Sequence, residues 1–154
     1  AEWTLLGPSS YELLYRSGAG LTPRPLRRIA SGGELSRVML ACKVVLGNED
    51  GVDTLVFDEV DAGVGGSTAR SLAAVLADLS ASHQVIVVTH LAQVAVMADK
   101  HYVVSKAPGD IPETHLIELD REARVTEIAR MLSGDQSAAS LEHARQMLSE
   151  AGKL

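Results

Sequence analysis

The sequence contains a single cysteine and no long apolar run, and each shortage excludes a class of protein. Because Cys42 is alone, a disulfide framework is excluded, and we expect this residue to lie in the core of a protein from a reducing compartment. No stretch approaches the roughly twenty apolar residues that span a bilayer. No charged segment followed by an apolar one opens the chain, so we expect no signal peptide. Tryptophan also occurs once, as Trp3, which we expect to be a packing anchor.

Positive charge is also scarce. The chain carries a formal net charge of −6, which argues against its coating a nucleic-acid backbone by itself. Its 154 residues, of which 46% are hydrophobic, are typical of one globular domain, which we assign to residues 1–154. One region is basic, and either a solvated surface or a phosphate or partner contact would explain it. Its residues are Arg16, Arg24, Arg27, Arg28 and Arg37.

The most strongly patterned stretch is a helix that follows two glycines. Ser31 and Glu34 have the spacing of a capping box, which fixes the helix start beside Gly32 and Gly33, and Gly47 provides a stop signal. A helix start offers unpaired N–H groups, and glycines let a phosphate approach the backbone. The same pattern also fits a plain capped loop. The predicted apolar face consists of Leu35, Val38, Met39, Cys42, Val45 and Leu46.

Two short apolar runs end in polar residues. Residues 54–57 predict a strand buried on both faces, and Asp58 and Glu59 follow it directly. Residues 85–88 predict a second buried strand, which leads to His90. A helix between the two runs makes the strands parallel, so the acids and the histidine reach the same edge of the sheet. These are candidate ligand-binding and proton-handling groups, although a solvated acidic pair and a structural histidine remain alternatives.

The remaining segments complete an α/β pattern. A glycine-rich loop leads to Ser67, which we expect to cap the helix between the two buried strands. Further strands are predicted at 11–16, 102–104 and 116–119, with 108–112 joining the last two. The predicted helical stripes are Leu72, Val75, Leu76 and Leu79 in the middle of the chain, then Val125, Ile128, Ala129 and Leu132, and finally Leu141, Ala144 and Leu148.

Together these groups match the needs of phosphoryl transfer. That chemistry requires a carboxylate that holds a metal, an acceptor that positions water and donors for the γ-phosphate oxygens. One part is missing, because the phosphate-binding motif G-x-x-x-x-G-K-[ST] does not occur in the sequence. Without the loop that cradles the β- and γ-phosphates, the chain should be half of an ATP site.

Several motifs resemble those of ABC-type ATPases. Residues 31–34 resemble their signature motif and residues 55–59 their Walker B strand, while Asp61 falls at the D-loop position and His90 at the switch position. Within this superfamily the chain resembles the RecN family of bacterial DNA-repair proteins. The glycines after Asp61 separate it from transporters and from most SMC proteins. The RecN resemblance rests on residues 30–41, 56–66, 88–95 and 127–134 and runs from about Leu5 to the C-terminus.

The resemblance implies an SMC-like ATPase head. It implies a P-loop NTPase-like α/β fold with a mostly parallel sheet flanked by helices, of which this chain is the C-terminal half. The N-terminal half with the Walker A loop, and a long coiled coil, would be other parts of the protein. Two heads would sandwich two ATP molecules. The implied partners are the Walker A half, a second head and DNA held by the full assembly, with no membrane. The implied location is cytoplasmic, at the nucleoid, and the fragment alone would be inactive.

The resemblance also implies roles for single residues. Asp58 would help to hold Mg²⁺, Glu59 would activate the attacking water, and His90 would contact the γ-phosphate. Asp61 would link the two nucleotide sites across the interface, which Arg37 would also serve. The residues implied to bind the ATP held by the opposing head are Ser31, Gly32, Gly33 and Glu34.

Two other interpretations stay open. The chain would also fit a fragment of another ABC or SMC-type ATPase, such as a transporter or a chromosome-structure protein. A non-enzymatic α/β binding module, in which the acids and glycines are structural, is the second alternative.

Overall fold

A computed structural model describes residue 7 and residues 11–28, 31–47, 51–107 and 113–154. Within these ranges it is a mixed α/β structure with three two-stranded sheets. The predictions for Trp3 and for the 108–112 connection lie outside the described residues. The elements in chain order are β1 (Leu14–Tyr15), β2 (Arg24–Pro25), a 3-10 turn (Leu26–Arg28), α1 (Gly32–Leu46), β3 (Thr54–Phe57), α2 (Gly66–Ser80), β4 (Gln84–Val87), α3 (Ala92–Ala95), β5 (Tyr102–Ala107), β6 (Glu113–Glu118), α4 (Arg121–Ser133) and α5 (Ala138–Glu150).

Helix α1 begins and ends where the sequence predicts. The Ser31 hydroxyl accepts a hydrogen bond from the Glu34 N–H at 3.4 Å, which confirms Ser31 as the N-cap. Gly47 takes a φ of +58° at the other end, a region that glycine adopts without strain. Its N–H donates to the Lys43 carbonyl at 2.9 Å. The caps therefore fix the two glycines of the predicted signature motif in the first turn of α1.

The predicted parallel pair is confirmed. Strands β3 and β4 pair in parallel, with Leu55 opposite Val85 and Phe57 opposite Val87. Helix α2 makes the crossover between them, and its predicted stripe is buried at Leu72, Leu76 and Leu79. The carboxyl ends of both strands consequently meet at one edge, as the sequence predicts.

The start of α2 differs from the prediction. Gly65 is its N-cap and forms no side-chain cap hydrogen bond, so the prediction that Ser67 caps this helix is wrong. The reason is that Gly66 already belongs to α2, with a φ of +56° that glycine tolerates. Ser67 therefore lies inside the first turn.

Two apolar cores hold the molecule together. The first packs β3, β4 and α2 with one residue of α1 and one of α3, and the second packs α3 against α4 and α5. No helix in the described part of the chain is long and apolar enough to cross a membrane. The first core contains Leu40, Leu55, Phe57, Val60, Leu72, Ala73, Leu76, Leu79 and Val94, and the second contains Ala92, Ala95, Val96, Val125, Ile128, Ala129, Ala144 and Leu148.

Fewer of the described strands pair in parallel than the sequence predicts. The β1–β2 and β5–β6 pairs are antiparallel, so the mostly parallel sheet is represented by the single pair β3–β4. Both antiparallel pairs join strands that follow each other closely in the chain. A parallel pairing needs a crossover of about a dozen residues or more, which only the segment containing α2 provides among the described strand pairs.

One face of β3–β4 and much of α1 are exposed. Val56 is 65% exposed and Val88 is 58% exposed, so the prediction of strands buried on both faces is wrong. Cys42 is exposed as well, and its prediction as a core residue is wrong. The apolar pattern predicts that these side chains are buried, but no element in the described part of the chain covers them. The exposed apolar residues of α1 include Leu35, Met39, Val44, Val45 and Leu46.

Candidate functional site

The candidate site lies at the carboxyl edge of β3 and β4. Asp58 and Glu59 directly follow β3, and both are exposed. The backbone ladder continues one step past β4, where the Val88 N–H donates to the Phe57 carbonyl at 2.9 Å. Because of this bond, the residues that follow β4 lie beside Asp58 and Glu59. His90 is thereby brought to the same edge, as predicted.

Glu59 has an unusual backbone conformation. Its φ is +55°, and among the described residues no other non-glycine residue has a positive φ. Such a conformation costs on the order of 1 kcal/mol or more and persists where the surroundings enforce it. Here the Ala62 N–H donates to the Glu59 carbonyl at 3.0 Å and closes a turn. The strained residue is therefore the one predicted to activate water.

The first turns of α1 are bonded to this acidic turn. The Ser36 hydroxyl donates to the Asp58 carbonyl at 2.6 Å. Nη1 of Arg37 donates to the Val60 carbonyl at 3.1 Å and to the Ala62 carbonyl at 2.9 Å. The signature-like helix and the segment after β3 therefore form one unit. In this chain the Arg37 guanidinium holds residues of its own chain, and its predicted service at an interface stays a prediction.

The two signature glycines permit this close packing. A Cβ on Gly33 would lie 2.8 Å from the Glu59 carbonyl oxygen and 2.8 Å from the Ala62 Cβ. A Cβ on Gly32 would lie 2.5 Å from Oε2 of Glu59. The Glu59 carboxylate thus lies against the N-terminus of α1, where the helix dipole favours negative charge. Glycine is required at position 33 by contacts with backbone of the same chain, whatever ligand the helix start also binds.

Asp61 is the buried charged member of the site. It is 2% exposed, and its Oδ2 accepts hydrogen bonds from the Thr89 hydroxyl at 2.5 Å and from the His90 N–H at 3.1 Å. The His90 ring nitrogen Nδ1 lies 3.2 Å from the same oxygen. The carboxylate therefore faces the chain after β4. Its predicted role in linking two sites across an interface is not tested by these contacts.

A magnesium ion would find suitable donors at this edge. Among the residues that the structure describes, no three His, Cys, Asp or Glu side chains cluster closely enough to hold a metal ion. Mg²⁺ does not need such a cluster, since it is usually held by one or two carboxylates together with water and substrate phosphates. The exposed carboxylate of Asp58, the residue predicted to help to hold Mg²⁺, fits that donor set.

Sequence reasoning missed three contact residues. Ser36, Arg37 and Thr89 hold the site together, but Ser36 and Thr89 were given no position in it and Arg37 only a place at an interface between heads. Gly33, Ser36 and Arg37 are spaced i, i+3 and i+4, so helical geometry alone puts them on one face of α1. That spacing was the available signal. Thr89 directly follows the second apolar run, and nothing in that pattern indicates its contact with Asp61.

The fold is that of an SMC-type ATPase head, within the P-loop NTPase class. A solved structure from work on ATP-driven dimerization and DNA-stimulated activation of SMC ATPases matches with a TM-score of 0.50 at 22% identity. The match covers 77% of this chain and 71% of that chain. The predicted fold class is therefore confirmed. No protein-family model matches the sequence.

The sequence is similar to proteins described as DNA repair protein RecN, which confirms the predicted resemblance. The RecN of Treponema pallidum is 51% identical over 144 residues, or 92% of this chain and 25% of that protein. The RecN of Deinococcus radiodurans is 48% identical over 149 residues, or 96% of this chain and 26% of that protein. The RecN of Streptomyces coelicolor is 46% identical over 94% of this chain. The chain spans about a quarter of the length of these relatives.

Proposed function

We propose that this chain is the C-terminal half of the ATPase head of a RecN-like DNA-repair protein. The observation that carries the proposal is the packing of a capped Gly-Gly helix start against an Asp-Glu pair at the end of a parallel strand, with His90 at the same edge. Phosphoryl transfer is catalysed by positioned charges of this kind rather than by covalent chemistry of the protein. The RecN relatives support DNA repair as the setting.

The acidic pair has two roles in this proposal. Asp58 helps to hold Mg²⁺, which neutralises charge on the phosphates when bound. Glu59 orients the attacking water and accepts its proton. His90 contacts the γ-phosphate. All three side chains lie after adjacent strands, and the exposed carboxylates and the largely exposed His90 ring are accessible to a ligand.

The start of α1 supplies donors to ATP held by an opposing head. The Ser31 hydroxyl and the N–H groups of Gly32, Gly33 and Glu34 lie in the first turn of α1, where the dipole favours a phosphate. The Glu59 carboxylate now lies against Gly32. Two negative groups repel each other at this distance, so a phosphate that docks at the helix start has to turn the Glu59 side chain away.

The uncovered apolar face is where the Walker A half packs. Val56, Ile86 and Val88 on the strands and the exposed side of α1 form a surface of the kind that folding normally buries. The SMC-type fold and the missing phosphate-binding motif both support a second half that completes the head. Dimerisation of two completed heads around ATP is part of the same proposal.

DNA is engaged by the whole assembly in this proposal. The net charge of −6 makes this segment a poor ligand for a phosphate backbone, so DNA contacts belong to other parts of the protein. A cytoplasmic location at the nucleoid goes with a function in DNA repair.

The substitution Glu59→Gln tests the proposed base. In a head completed by co-expression with its Walker A half, we expect Glu59→Gln to slow ATP hydrolysis by about 10²–10⁴, the usual contribution of general base catalysis. ATP binding should persist because the amide retains the shape of the side chain. Steady-state phosphate release and equilibrium nucleotide binding measure the two effects separately.

Glu142→Gln is the matched control, because it removes one negative charge from the exposed side of α5. It should leave the rate unchanged. Undiminished hydrolysis by Glu59→Gln would remove the role of Glu59. A completed, folded head that is inert with ATP and Mg²⁺ would favour the non-enzymatic binding module.

A further inference from the structure

The carboxylate of Asp61 is buried, and none of the ATPase roles proposed above explains why. Its side chain is 3% exposed, and a charge withdrawn from water is costly unless hydrogen bonds compensate it. Two hydrogen bonds compensate the charge, one from the Thr89 hydroxyl and one from the His90 N–H, and the His90 imidazole lies beside the same carboxylate oxygen. A residue that served only a distant surface would not need to be enclosed by these groups.

The hydrogen bonds fix the polypeptide after β4. The Thr89 hydroxyl donates to Asp61 and also accepts from the Leu91 N–H at 3.0 Å. The His90 N–H donates to the same carboxylate oxygen. Three consecutive residues are therefore tied, directly or through one hydroxyl, to a single atom of Asp61. This arrangement sets where the His90 ring emerges from the backbone.

The same carboxylate oxygen lies beside the Nδ1 edge of the His90 ring. Nδ1 of His90 lies 3.2 Å from Oδ2 of Asp61, whereas the side chain as a whole is 70% exposed. An ionised carboxylate only accepts hydrogen bonds, so the ring hydrogen belongs on Nδ1 when His90 is neutral. Nε2, on the other side of the ring, is then the nitrogen that meets a ligand. The neutral side chain of histidine in water favours the opposite tautomer, with the hydrogen on Nε2.

We propose that Asp61 is a positioning residue that acts within its own chain through His90. It holds the imidazole with Nδ1 toward the protein and Nε2 toward the nucleotide site, and this role rests on the proposed ATPase function. The ABC resemblance implies a different role, a link between two sites across the head interface. The two roles differ in a measurable way, because a link across the interface does not have to act through His90.

The tautomer of His90 is the direct test, and it does not require ATPase activity. Nitrogen-15 NMR of the chain at about pH 8, above the ordinary histidine pKa, reports which ring nitrogen carries the hydrogen. We expect Nδ1–H in the unsubstituted chain and Nε2–H in Asp61→Ala. Asp78→Ala removes an exposed carboxylate from α2, away from Asp61, and should leave the tautomer at Nδ1–H. His143, exposed on α5, is the internal control that neither variant should change.

Nε2–H on His90 in the unsubstituted chain would overturn the proposal. This result would not touch the proposed ATPase function, because Glu59→Gln tests that function separately. If Asp61→Ala does not fold, the tautomer of the unsubstituted chain still decides between the two outcomes. Retention of Nδ1–H by a folded Asp61→Ala chain would also contradict the proposal.

A double-mutant cycle in the completed head separates the two roles of Asp61. Misplacing a reacting group by about 1 Å can cost on the order of 10²-fold in rate, so Asp61→Ala and His90→Ala should each lower kcat by roughly 10- to 100-fold. If Asp61 acts through His90, the double variant should be no slower than His90→Ala alone. Losses that multiply would assign Asp61 an independent role, such as the interface link, and would overturn the positioning role.

Discussion

At the scale of single residues, the two signature glycines serve different contacts although they are adjacent. Gly33 is buried, and its absent Cβ leaves room for backbone and for the Ala62 side chain. Gly32 is exposed, and its absent Cβ leaves room only for the end of the Glu59 side chain. Backbone in a packed turn cannot move aside, whereas a terminal carboxylate can rotate.

Gly33→Ala should therefore destabilise the chain more than Gly32→Ala. Overpacking against backbone typically costs about 1–3 kcal/mol, and we expect Gly33→Ala to fall in this range. Gly32→Ala should change the free energy of unfolding by less than about 1 kcal/mol, because Glu59 turns away and alanine favours the helix. Urea unfolding of the two variants measures the difference. Equal losses in both variants would show that the contacts at Gly33 do not limit substitution.

The sequence predicted the location of the site residues better than their contacts. Asp58, Glu59 and His90 were expected at one sheet edge because apolar runs, a crossover helix and the parallel rule determine that edge. The positive φ of Glu59 and the inward direction of Asp61 could not be predicted, since they depend on packing between segments far apart in the chain. Local patterns do not encode such contacts.

At the scale of elements, the two ends of α1 were predictable, whereas the start of α2 and the burial of α1 and of the outer face of β3 were not. Caps at Ser31, Gly47 and Gly134 act within one turn of the chain, so their residues alone locate α1 and the end of α4. Burial depends on what packs against an element. The apolar stripe of α2 is covered, whereas that of α1 and the outer face of β3 are not, although their patterns look alike.

Arg124, on α4, connects α4 to the C-terminal end of α3 within the second core. Its Nη2 contacts the carbonyls of Ala95, Val96 and Ala98 at 3.1, 3.2 and 2.5 Å, and the residue is 7% exposed. These carbonyls lie at or just after the end of α3, where helical hydrogen bonding runs out, although the Ala95 carbonyl also accepts the Ala98 N–H at 3.3 Å. Burial, which disfavours the charged form, lowers the pKa of Arg124, and Asp99 opposes this shift.

Arg124→Leu should destabilise the chain by about 3 kcal/mol, since hydrogen bonds from a charged donor contribute about 1.5–3 kcal/mol each and the carbonyls would lose their partner. Arg124→Lys should recover only part of the loss, because an ammonium lacks the planar fork. Arg121→Leu, at the exposed start of α4, is the control and should stay within about 0.5 kcal/mol. Urea midpoints provide the comparison. A loss from Arg124→Leu no larger than the control would contradict this role.

At the scale of the whole molecule, two features support the proposal that a second half completes the head. The chain has a buried core on one side of β3 and β4 and uncovered apolar residues on the other. It has two exposed carboxylates after β3 and no phosphate-binding motif. Both features follow if the head is completed by a second half and the ATP site by a second head.

We propose that the start of α1 acts on ATP held by the other head, whereas Glu59 acts on ATP of its own head. Glu59→Gln removes the base, and Ser31→Arg places a bulky side chain at the exposed N-cap of α1. Each variant alone should be nearly inactive in completed heads. Both changes in one head should be inactive too.

The most direct measurement is ATP hydrolysis after the two inactive single variants are mixed. A mixed dimer contains one site with both lesions and one with neither, so hydrolysis should return to roughly a quarter of the unsubstituted rate if closed dimers form at random. The restored rate should rise with protein concentration. A mixture that stays as inactive as its two components, although the heads associate, would contradict the shared site.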